Sequence, residues 1–166
     1  MTSKETFTLK SNTIGGLATT DQAFNDWGSV GENRSPQLSW ENAPEGTKSF
    51  AITMYDPDAP TGSGWWHWLV FDIPSDVNEL VENAGTIDLG LAPSQAIQSI
   101  NNYGAKGYGG PCPPEGHGLH QYIITVHALK TDSLGLDENT NPAIVGYNLW
   151  GNTISKASLI MYYERK

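Results

Sequence analysis

The chain has a single cysteine, Cys112, in 166 residues. An internal disulfide is therefore impossible, and a cysteine-based zinc site is short of ligands. Basic residues are scarce as well, nine Lys and Arg against eighteen Asp and Glu, for a net charge of -9. No basic stripe stands out, so nucleic acid and anionic membrane are excluded as primary partners. No apolar run is long enough to span a bilayer, and the first twenty residues lack the apolar core of a signal peptide. The expectation is a cytoplasmic protein, or a periplasmic one if a signal peptide has been removed. GxSxG, P-loop, GxGxxG and HExxH motifs are all missing, which removes the commonest signatures of hydrolases, NTPases, dinucleotide enzymes and zinc proteases. An acidic total does not bar a small anion, because backbone N–H groups and histidines set the field inside a pocket.

What the sequence does have is length for one domain, residues 1–166, which at this size buries roughly 70% of its unfolded surface. Period-two alternation marks several strands. Glu5 to Leu9 reads as a short first strand, and Leu38 and Trp40 alternate with polar neighbours. Lys48 to Asp56 places Phe50, Ile52, Met54 and Asp56 on one face. Trp66 to Ile73 is nearly all apolar, as suits a strand covered on both sides. Leu119 to Leu129 and Ser155 to Glu164 complete the set. Asn141-Pro142 is a helix start, Asn as N-cap and Pro in the first helical position, with Gly151-Asn152 as its stop. Short helical turns are expected near Val77 to Val81 and Asp132 to Leu136. The sum is a mainly β fold with one or two short helices.

Two stretches carry chemistry. Tyr108 to Leu129 starts as a glycine- and proline-rich loop, YGGPCPPEGHG, that brings bare backbone close to whatever it faces, and ends in a strand. On that strand His120 and Tyr122 share a face. Tyr55 to Phe71 holds DPDAP at Asp56 to Pro60, then Trp65 and His67 on one face of the next strand. A carboxylate near two imidazoles fixes tautomers and suits an anion site. In this reading a carboxylate from Asp56 or Asp58 fixes a histidine, and His67, His120 and Tyr122 offer donors to an anion beside the bare backbone of the loop. His117 is expected to be exposed, His127 to lie on the sheet surface, and Cys112 to form wall. The same residue types permit another reading, a metalloenzyme with His67, His120 and Asp56 or Asp58 as metal ligands.

DPDAP, the WxHW at Trp65 to Trp68 and GGPCPPEGHGLHQY at Gly109 to Tyr122, in this order, resemble the two signature regions of the phosphatidylethanolamine-binding protein, or Raf-kinase-inhibitor-like, family in its bacterial branch. SPQLSW at Ser35 to Trp40 and KASLIMYY at Lys156 to Tyr163 extend the resemblance over most of the chain. It implies a large central antiparallel sheet packed against a smaller one, and a non-enzymatic, cofactor-free binding protein. The implied pocket takes a phosphate-like anion or phosphorylated ligand through Asp56, Asp58, Pro60, Trp65, His67, Gly110, Pro113, Pro114, His120 and Tyr122. A kinase or protease as inhibited partner, a homodimer, and a cis peptide before Pro60 are further implications. Gln121 stands where eukaryotic relatives commonly have Arg.

Overall fold

The computed structural model describes residues 5–166. Eight strands and one α-helix follow in order: β1 (Thr8–Lys10), β2 (Leu38–Glu41), β3 (Ser49–Asp56), β4 (Trp65–Pro74), β5 (Glu79–Leu80), β6 (Ile97–Gln98), β7 (His120–Leu129), α1 (Pro142–Asn152) and β8 (Thr153–Tyr163). A five-stranded sheet has the order β6-β4-β3-β7-β8 and a three-stranded sheet the order β1-β2-β5, with antiparallel pairing throughout both.

Alternation decides what each face buries. Phe50, Ile52 and Met54 of β3 join Ile124 and Val126 of β7 and Leu9, Leu38, Trp40 and Leu80 of the small sheet in one core between the sheets. Residues of opposite parity, Ala51 on β3 and Leu69 and Phe71 on β4, face the other way and meet Val145 and Leu149 of α1. β3 and β4 are therefore covered on both sides, which explains their unbroken apolar sequences. Each fully buried large side chain contributes roughly 1.5–3 kcal/mol. The helix starts where Asn141 Oδ1 accepts from Ala143 N at 2.9 Å, ahead of Pro142.

One irregularity shapes the cavity at the end of the sheet. Tyr55 opposes Trp66 and Met54 opposes Trp68, so His67 is an extra residue in β4, a β-bulge. The bulge suspends alternation at this point. Trp68 enters the core between the sheets, while its neighbour His67 lines a cavity at the sheet's end.

The structure differs from expectation in several places. Around Val77 to Val81 the chain forms strand β5, because Leu80 pairs with Leu38 and is buried in the small sheet. Asp132 to Leu136 is not helical, since the Asp72 carboxylate accepts from Leu134 N at 2.9 Å and Ser133 Oγ at 2.7 Å and holds that loop open. The short helical turn lies instead at Ile87–Leu89, of the 3-10 type. The first pairing strand is Thr8–Lys10, displaced from the Glu5 to Leu9 alternation. Among the described residues every peptide bond is trans, including the one before Pro60. No helix there is long and apolar enough to cross a membrane.

Candidate functional site

Strand β3 runs out of its sheet at Asp56, the first residue of DPDAP. The carboxylate is 3% exposed, yet most of its acceptor capacity is met. Oδ1 accepts from Asp58 N at 2.8 Å and Ala59 N at 3.1 Å, closing a tight turn, and Oδ2 accepts from His120 Nδ1 at 2.8 Å. Asp58 holds the same turn to β7, the neighbouring strand in the sheet: its Oδ2 accepts from Gln121 N at 2.7 Å. The two carboxylates thus have separate jobs, one orienting an imidazole and the other fixing backbone.

His120 and Tyr122 enter from the first turns of β7, paired with Tyr163 and Met161 of β8. Both are buried. Because a carboxylate only accepts, Nδ1 of His120 carries a proton toward Asp56. Its other nitrogen, Nε2, lies 2.7 Å from Nδ1 of His117, which is exposed as expected but engaged with the site's histidine.

His67 is clamped differently. Its Nδ1 donates to Gly109 O at 2.6 Å, and its own carbonyl accepts from Gly109 N at 2.9 Å. Burial pulls the imidazole down to about pKa 4, with the Gly109 carbonyl and Asp56 opposing that shift. At neutral pH the ring is therefore uncharged. With Nδ1 as donor, Nε2 is an acceptor, and His67 becomes a donor at that atom only by taking up a proton.

The loop before β7 is held as a rigid wall. Asn33, at φ 50°, donates from Nδ2 to Tyr108 O at 3.1 Å and accepts at Oδ1 from Gly110 N at 2.7 Å, acting as a short substitute strand. Gly110 lies so close to the Gln22 carbonyl that a Cβ would collide with it. Arg165, near the end of the chain, donates from Nε to Pro113 O at 2.6 Å. Tyr103 stacks on Phe24 at 3.9 Å and donates to Gly110 O at 2.9 Å.

These elements enclose a cavity of about 160 Å³. Asp56, Pro60, Trp65, His67, Pro113, Pro114, His120 and Tyr122 line it, as does Cys112, whose thiol is pushed up by burial. Asp58 and Gly110 lie outside the lining. Gly110 serves by allowing close approach of two loops, and its N–H is already engaged by Asn33. Sequence reasoning missed Trp27 and Tyr103. The two rings meet edge to face at 4.9 Å, and each meets Trp65, at 6.1 and 5.4 Å, to form the aromatic side of the cavity. Their only signal was an aromatic residue within a turn-rich loop, FNDWG and NNYG. Two buried donors in the lining residues, Tyr122 OH and Trp65 Nε1, have no hydrogen-bond partner among the described residues. Burial raises the Tyr122 hydroxyl well above its usual pKa, so it stays a donor.

The metal reading finds no support in this geometry. Among the described residues no group of three or more His, Cys, Asp and Glu side chains is placed to hold a metal ion. Asp58 is tied to Gln121 N, and both ring nitrogens of His120 have protein partners.

The sequence profile of the family described as phosphatidylethanolamine-binding protein matches residues 7–164. The UPF0098 protein YbcL of Escherichia coli is 48% identical over 162 residues, 96% of this chain and 88% of YbcL. A second Escherichia coli protein, YbhB, is 45% identical over 85% of this chain and 88% of its own length. The crystal structure of YbcL, described as a new member of the mammalian family, superposes with a TM-score of 0.93 and covers 96% of this chain and 99% of that one. A homologue from Chlamydia trachomatis superposes at 0.78 with 27% identity, covering 96% and 98%. In sequence and in fold, the chain belongs to the phosphatidylethanolamine-binding protein family.

Proposed function

We propose that this chain is a non-enzymatic binding protein whose cavity takes a small oxyanion or the anionic head of a phosphorylated ligand. The observation that carries this reading is the pair of buried donors, Tyr122 OH and Trp65 Nε1, left without partners in residues that line a cavity also bordered by His67 and His120. Buried polar groups are hydrogen-bonded in the great majority of cases, and leaving one unsatisfied costs about 1–3 kcal/mol. Two such donors, both on side chains that line one cavity, favour an acceptor-rich ligand. The aromatic side formed by Trp27, Trp65 and Tyr103 takes whatever apolar part the ligand has.

The output is regulatory. An occupied pocket alters its rim, built from Pro60, Pro114 and Trp27, and the rim meets a kinase or protease; the chain works as a homodimer in the cytoplasm or periplasm. Calorimetric titration with phosphate, acetate and phosphoethanolamine tests the pocket reading. Saturable binding is expected, weakened roughly tenfold or more in His120→Ala and in Tyr122→Phe. Absence of binding by all three ligands, or binding indifferent to both substitutions, overturns it.

A further inference from the structure

The charge in the wall says what kind of oxyanion fits. Among the described residues no Lys or Arg lines the cavity. Arg165, the nearest cation, is engaged behind the wall by Pro113 O and Gly28 O and lies 3.7 Å from Glu115. Its charge faces Glu115 from behind the wall and is still felt at the Cys112 thiol and the Tyr103 hydroxyl, but the guanidinium itself does not line the site. The groups facing the cavity that can carry charge are Asp56 from β3, His67 from β4, His120 and Tyr122 from β7, and Tyr103 and Cys112 from the loops. Burial keeps both phenols and the thiol protonated and His67 uncharged near neutral pH. That leaves Asp56, its hydrogen-bonded partner His120, and His117 outside the lining, whose Nδ1 lies 2.7 Å from His120 Nε2, so that the two rings share no more than one extra proton across that bond. If His120 carries its second proton the pair is neutral, and if it does not the pair is -1. In neither state does the cavity present net positive charge to a ligand.

An anion entering this cavity gains hydrogen bonds from Tyr122 and Trp65 but meets no Lys or Arg side chain among the described residues of the lining. Each further negative charge is placed in a poorly solvated space against the Asp56 carboxylate, where repulsion is far stronger than in water. His67 adds a second criterion. With Nδ1 donating to Gly109, its Nε2 is an acceptor and favours a ligand bearing a proton. Resting on the anion-pocket reading above, we propose that the site selects singly charged oxyanions over doubly charged ones, so that a phosphate monoester enters with one acidic proton still on it, while a phosphodiester or a carboxylate enters as it is.

Two comparisons test this on the full chain. The first sets inorganic phosphate against sulfate, its doubly charged isostere, at a pH of about 5.5, where phosphate is singly charged; phosphate is expected to bind at least roughly tenfold more tightly. The second follows the affinity ratio of glycerophosphoethanolamine, a diester, to phosphoethanolamine, a monoester whose second pKa is about 6. The monoanion fraction of the monoester falls from about one half at pH 6 to about one hundredth at pH 8, so the ratio should rise about fiftyfold across that interval. Taking a ratio cancels titration of the protein's own histidines. Acetate serves as a second monoanion if the diester's glycerol arm blocks entry. Asp56→Asn, which removes the charge and keeps the shape, should return the pH 8 ratio toward its pH 6 value. Sulfate binding as tightly as phosphate, or a ratio that is flat or falls, overturns the proposal while leaving an anion pocket in place. No binding by any probe at any pH instead removes the pocket reading on which the proposal stands.

Discussion

His117 Nδ1 lies 2.7 Å from His120 Nε2, and on the far side of the same ring His120 Nδ1 lies 2.8 Å from Asp56 Oδ2. A buried carboxylate and an exposed imidazole are thereby joined through one buried histidine. With Nδ1 donating to Asp56, an uncharged His120 accepts at Nε2 from His117, and a second proton on His120 reverses that bond. His117 sits between Gly116 and Gly118, both at positive φ, so its position depends on turns that favour glycine. Substituting His117 by Ala is expected to change the 15N shift of His120 Nε2 while altering stability by no more than about 0.5 kcal/mol, as for other exposed positions. An unchanged His120 spectrum would show that the two rings do not communicate in solution.

Tyr122→Phe should separate stability from binding. The hydroxyl is buried without a partner, so its removal relieves a desolvation cost and is expected to stabilise the fold by about 1 kcal/mol. The same change removes a donor to the ligand and should weaken anion affinity roughly tenfold. Urea denaturation and calorimetry measure the two effects independently, and a loss in both would mean that the hydroxyl is holding the protein together.

Folding stability should fall in acid through two histidines. Burial lowers His67 and His127 from 6.5 to about 4, so between these values the unfolded chain binds more protons than the folded one. Stability from each is fully present above about pH 6.5 and is lost as pH falls toward 4, on the order of 3 kcal/mol per histidine at most. His127 sits across the sheet from the pocket's chemistry, with Thr53 Oγ1 at 3.1 Å and Thr153 Oγ1 at 3.4 Å. His127→Gln should flatten part of the slope between pH 6.5 and 4 without touching anion affinity.

Gly110→Ala tests the wall. A Cβ at this position would run into the Gln22 carbonyl and the Ala23 backbone, neither of which can turn aside as a side chain would. A cost of about 1–3 kcal/mol is expected, together with weakened ligand binding, because the loop carrying Pro113 and Pro114 must move outward. Wild-type thermal stability in this variant would show that the two loops are not packed together in solution.

Much of the architecture was legible because it rests on short-range pattern. β3, β7 and β8 announce themselves by alternation, β4 by an apolar run bounded by Pro74, and the start of α1 by Asn141-Pro142. The pairing of His120 with Tyr122 on one face follows from a period of two. Reading failed where a distant partner decides. Leu80 is part of a strand only because Leu38 lies beside it, and Ser133 and Leu134 stay out of a helix because Asp72 takes their donors.

The amino-acid sequence by itself determined the long strands β3, β4, β7 and β8, which of their faces are apolar, and that a carboxylate, two histidines and a tyrosine occur at strand ends, since backbone periodicity and turn chemistry act over a few residues. Tertiary structure alone decided that Asp56 holds His120 while Gly109 holds His67, that His117 joins the site, and that Trp27 and Tyr103 complete its wall. Those relations span 42 and 64 residues for the two histidine bonds. They depend on a bulge that turns one residue of β4 toward the cavity and on loops packed too closely for any side chain at Gly110, features of sheet register and packing that local pattern does not encode.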